Sequence, residues 1–131
     1  MQQASPLTVK VNNTCRRGGV NNTLDIVIGK ATVPDTNVPA KLSVTFGDSP
    51  AAPYWVIGVG AVTNGSYEWA LIYSCQSVLF VDFEGLWLVA RDPLFATKEP
   101  EKTKYALDML QQKTGYDVSR MHKTVQQGCV F

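Results

Sequence analysis

Histidine is almost missing from this sequence: His122 is the only one in 131 residues. Cysteine is sparse too, with Cys15, Cys75 and Cys129 and no Cys-X-X-Cys pair. That spacing fits neither a zinc site nor a thioredoxin-like motif, so no metal centre is expected. Net charge is only +1. A nucleic-acid partner needs clustered lysine and arginine. The one basic cluster, Lys10 with Arg16 and Arg17, reads as a solvated turn. No apolar run reaches the roughly 20 residues of a membrane-spanning helix. The opening MQQASP is short and polar, unlike a signal peptide. There is no internal repeat or linker, so residues 1–131 are expected to form one domain.

What is present is concentrated between Pro53 and Arg91. All three tryptophans, Trp55, Trp69 and Trp87, lie there, in three apolar runs parted by turn-like residues. Each run is about a strand long, and tight loops pair such runs antiparallel. Asn64-Gly65 marks a hairpin between the first two. The link from Gln76 to Glu84 is oddly apolar, with Val78, Leu79, Phe80, Val81 and Phe83. Two readings stand: the flanking strands extend into it, or it is an exposed lip whose Val78, Leu79 and Phe80 touch a membrane or lipoprotein surface.

Upstream, Leu7, Val9 and Val11 alternate with Thr8, Lys10 and Asn12, the pattern of a half-buried strand. Leu24 to Val33 reads as another, with Gly29 marking a bulge or a close backbone approach. Lys41 to Phe46 alternates again, placing Leu42, Val44 and Phe46 on one face. Trp87 and Val89 share a face in the same way. After Asp92-Pro93 the texture changes. Thr97 to Lys113 has helical spacing of Tyr105, Leu107, Met109 and Leu110, Thr97 as N-cap, Pro100 in the first turn and Gly115 as the stop. Met121 to Gln126 reads as a last short strand. Many short strands with Gly and Pro turns point to a barrel or sandwich.

Catalytic chemistry finds little purchase. His122 lies beside Lys123 on a polar stretch, and Cys75 has no neighbour in sequence to activate it. Asp82, Glu84 and Asp92 are loop carboxylates without a mate for acid–base work. No enzyme activity and no cofactor are expected.

The segments PYWVIGVG, YEWALIYSC and LWLVARDP, then a helix and YDVSRMHKTVQQGC, together resemble a lipocalin of the apolipoprotein D and bacterial outer-membrane branch. VKVNNTCRRGG, GKATV and AKLSVTF fit the third, fourth and fifth strands of that pattern. The resemblance implies an up-and-down β-barrel that carries a small hydrophobic ligand of the fatty acid, sterol, retinoid or pigment class. Of the family's three motifs, the second resembles Ser66 to Tyr73, and the arginine of the third matches Arg91. The first, Gly-X-Trp, has no counterpart.

By this alignment the chain starts at the third strand. The expected fold is therefore all-β: an antiparallel up-and-down lipocalin-type barrel, incomplete at about seven strands, with one C-terminal α-helix outside. Its open edges would favour homo-oligomers. Arg91 would lack the tryptophan it covers in the family. Cys75 and Cys129 match cysteines that form disulfides with the N-terminal region, and whether Cys15 replaces one of those partners stays open. The resemblance turns Leu42, Val44, Phe46, Trp87 and Val89 toward the ligand. Trp55, Ile57 and Tyr73 are further candidates whose phase the sequence does not fix. Three sequons, at Asn12, Asn21 and Asn64, agree with a secreted, extracellular or membrane-associated protein.

Overall fold

The computed structural model describes residues 7–129, so the opening MQQASP lies outside the described residues. Six strands form one antiparallel sheet: β1 (Thr8–Arg16), β2 (Leu24–Thr32), β3 (Lys41–Phe46), β4 (Ala52–Val59), β7 (Trp69–Val78) and β8 (Val81–Ala90), in the order β1-β2-β3-β4-β7-β8. Between β4 and β7 the chain makes a small hairpin of β5 (Val62–Thr63) and β6 (Ser66–Tyr67). Its turn is the expected Asn64-Gly65, both at positive φ (51° and 75°), which suits the right-handed twist of a two-residue hairpin. A short helix α1 (Phe95–Lys98) and the main helix α2 (Pro100–Thr114) follow.

The sheet curls into a half-barrel. Ala31, Val33, Val44 and Ile72 are all buried, yet α2 lies on the other side of the sheet. Their burial fits a sheet that curls over its concave side. This is the incomplete lipocalin-type barrel that the resemblance implies.

The opposite, convex face holds the densest core. Trp69 and Leu71 of β7 meet Phe95, Ala106 and Leu110, with Ile57, Leu86, Leu88 and Met109 packed around them. Ala106 and Leu110 stand four apart on one stripe of α2. The sequence weights Tyr105 and Leu107, but Tyr105 is 62% exposed and only its ring edge touches Trp69. Gly58 lets the helix come close: a Cβ there would stand 2.8 Å from the Met109 sulfur. Lys113 Nζ donates to the Ile57 carbonyl at 2.6 Å, and Lys102 pairs with Glu68 at 2.9 Å, so both ends of α2 are tied to the sheet.

Three expectations need correction. Met121–Gln126 is not a strand: it pairs with neither edge of the sheet and runs as coil, held by Lys123 Nζ on Thr97 Oγ1 at 2.8 Å. Thr97 does not cap the main helix. It lies inside α1, while Glu99 is the residue before Pro100 and α2. No disulfide forms among Cys15, Cys75 and Cys129, which are all free. Of the two readings of Gly29, the close backbone approach holds: β1 and β2 pair without a break from Thr8↔Thr32 to Arg16↔Leu24, and a Cβ at Gly29 would stand 2.7 Å from the Thr45 carbonyl oxygen, with the Phe46 ring over the same space. Gly115 ends α2 as expected, at φ 72°.

Candidate functional site

Strand pairing sorts the side chains by face. Residues directly opposite in a pair share a face, and faces alternate along each strand. Leu42 is opposite Tyr54, and Val44 is opposite both Ala31 and Ala52. Phe46 is opposite Gly29. Val56 is opposite Ile72, and Ile72 is opposite Trp87. Leu42, Val44, Phe46, Trp87 and Val89 therefore stand together on the concave face. So do Val9, Val11, Val27, Tyr54, Ile72 and Phe83, which the sequence reading does not select.

The floor of this hollow is apolar. Ile72 is 2% exposed, while Trp87 beside it is 47% exposed and Val89 43%. The Trp87 indole lies along its strand over Gly85. Burial pushes the Tyr54 hydroxyl above its ordinary titration range. No polar or charged residue is buried among the described residues. The hollow offers contact area and an aromatic wall.

Trp55, Ile57 and Tyr73 stand on the other face. Trp55 is opposite Tyr73 and Lys41, and Lys41 Nζ sits 4.4 Å from the indole ring centre. Ile57 packs toward α2. A bulge between Val56 and Gly58 shifts the phase of β4, so simple alternation cannot be carried through it. Tyr73 donates to Glu84 Oε2 at 3.0 Å. Burial, the Glu84 carboxylate and the neighbouring Cys75 all push the Tyr73 hydroxyl up, far above its usual range.

The strands around the apolar link do extend into it. β7 and β8 pair as far as Val78↔Val81 and turn at Leu79-Phe80. The turn residues are also fully exposed, Leu79 at 91% and Phe80 at 104%. The strand extension and the exposure of the apolar tip therefore occur together. At the other end of the half-barrel, Arg91 Nε donates to the Tyr67 carbonyl at 3.2 Å. A cavity of about 360 Å³ lies there between Arg91, Asp92, Phe95 and the β5–β6 hairpin.

Among the described residues no cluster of histidine, cysteine and carboxylates has the arrangement to hold a metal. His122 is exposed, as is Cys75. A curled antiparallel meander, apolar on its concave side and backed by one main helix, is the architecture of an open up-and-down β-barrel.

Comparison of the sequence with protein families agrees with this geometry: residues 2–126 match the model of a lipocalin-like domain. The chain belongs to that family. Its members are in general binding proteins for small hydrophobic molecules. A comparison with curated proteins gave no match.

Proposed function

We propose that the concave face carries a small hydrophobic ligand of the fatty acid, sterol, retinoid or pigment class, in the manner of the apolipoprotein D branch of lipocalins and outside the cell. One observation carries this reading: Trp87 and Val89 stand half-exposed on a curved apolar face, directly beside the sealed Ile72. An exposed indole on a concave surface is costly in water and well placed for a flat or long apolar guest. Burying about ten methylenes contributes roughly 8 kcal/mol gross. After ordering costs, that supports binding in the micromolar range or somewhat tighter.

The test is a titration of tryptophan fluorescence with fatty acids, sterols and retinoids, on the parent and on Trp87→Ala. Saturable quenching that weakens in the variant supports the reading. Flat titrations with every class overturn it.

A second reading, contact of the β7–β8 tip with a membrane or lipoprotein surface, has its own observation. Leu79 sits at φ 56°, a left-handed conformation unfavourable for leucine, where the β5–β6 turn uses Asn-Gly. The tip thus keeps an apolar side chain at the expense of turn geometry.

A further inference from the structure

The geometry points to a second copy of this chain as the partner of both sheet edges. β1 and β8 are the edge strands, nine and ten residues long. Six antiparallel strands are an even number, so the two edges run in opposite directions, as an antiparallel pair requires.

Two hydrogen bonds fix which backbone groups face outward. Val33 N–H donates to the Leu7 carbonyl, and Arg91 N–H donates to the Glu68 carbonyl. Carrying that alternation along each strand, the odd-numbered residues of β1 bond to β2, and those of β8 bond to β7. Lys10, Asn12 and Thr14 on β1, and Glu84, Leu86 and Leu88 on β8, aim their backbone groups away from the sheet.

Laid antiparallel, Thr8–Arg16 of one copy covers Asp82–Ala90 of the other, residue for residue. The side chains then match. On the concave side Val9 meets Val89, Val11 meets Trp87 and Cys15 meets Phe83. On the convex side Arg16, at the end of β1, meets Asp82 at the start of β8, with Glu84 two residues further along the same face. Val9, Val89 and Trp87 are 46%, 43% and 47% exposed in one chain, and the contact covers all three.

A two-fold axis along the barrel repeats the contact, β1 to β8 and β8 to β1. Twelve strands then close into a ring without edges, and the two apolar hollows share one lumen. The pairing stands on edge direction, charge and register, independently of what the hollow binds.

Sedimentation of the purified chain tests it first, with an expected mass of two 14.4 kDa copies across the micromolar range. Asn12→Pro removes an outward N–H and leaves the β1–β2 bonds in place, so it is expected to raise the dimer dissociation constant roughly tenfold or more. Phe83→Cys, combined with Cys75→Ser and Cys129→Ser, places a thiol opposite Cys15 of the second copy. Mild oxidation then gives a cross-linked dimer, and adding Cys15→Ser abolishes it. A copy with Asp82→Lys and Glu84→Lys is expected to dissociate alone and to recombine with a copy carrying Arg16→Glu.

A monomer across that range overturns the proposal, and means the edges are covered from within the chain or by another protein. A dimer that is insensitive to Asn12→Pro and forms no Cys15 cross-link overturns it equally, because another surface then makes the contact.

Discussion

The indole of Trp87 rests on the α-carbon of Gly85, two residues back along β8, in the space that a side chain at Gly85 would fill. The glycine thereby sets the direction of the ring, which lies flat along the strand and roofs the concave face beside Ile72. The same device recurs where Phe46 covers Gly29 and Trp69 covers Gly60. Aromatic rings over sheet glycines shield backbone that would otherwise face water.

Gly85→Val is expected to force the Trp87 ring off its seat. Overpacking of this kind costs about 1–3 kcal/mol. Hydrophobic-probe binding should fall together with a shift in the Trp87 part of the fluorescence, read as the difference from Trp87→Phe. Trp55→Phe, on the convex face, should leave probe binding unchanged. Equal losses from both would remove the concave face from consideration.

Leu110→Ala empties the fully buried centre of the convex core, where Leu110 meets Trp69, Leu71 and Phe95. A cost of about 2–5 kcal/mol is expected. Thermal unfolding by circular dichroism measures it. Leu107→Ala, on the less buried flank of α2, should cost clearly less.

Asp92 is held below the usual carboxylate range, first by Lys98 at 2.7 Å and then by the Leu94 N–H at 2.8 Å. A carboxyl whose folded value is depressed contributes stability above its unfolded range and loses it as pH falls through the folded value. The loss is therefore expected in acid, below about pH 4. Lys98→Met should raise the Asp92 titration toward its ordinary position in a carboxyl NMR experiment. An unmoved midpoint would show that the Leu94 N–H alone sets it.

Leu79→Asp and Phe80→Asp should each abolish flotation with liposomes while ligand uptake persists, if the tip meets a surface. Leu79→Gly relieves the left-handed strain at that position and is expected to raise stability slightly, by about 1 kcal/mol. Flotation that survives both aspartate variants would refute a membrane role for the tip.

Periodicity made β3 readable to the residue, and Gly115 and Asn64-Gly65 announced their turns by conformational need. Alternation placed Leu42, Val44 and Phe46 on one face and Trp87 with Val89 on another, but only the family resemblance turned both inward, since Leu86 and Leu88 make β8 apolar on both sides. Trp55, Ile57 and Tyr73 were not. The β4 bulge breaks the alternation, and only pairing across to β7 reveals the face. Met121–Gln126 misled for a different reason: a short polar segment carries no pattern that separates a strand from coil, and this one bonds to neither sheet edge. Tyr54 and Ile72 were missed because the β4 and β7 runs are apolar on both faces, leaving no contrast to read.

Each strand of the main sheet lies beside its nearest neighbour in the chain, with only the small β5–β6 hairpin set between β4 and β7. Such a meander closes short loops first and pays little chain entropy before contacts form, which favours rapid folding. The β7–β8 hairpin, with α2 arriving soon after it, contains the best-packed side chains and is the natural nucleus. Folding rates should then respond strongly to truncation at Leu71 and weakly at Ala31, so the half of the sheet that forms the hollow's far wall would assemble last.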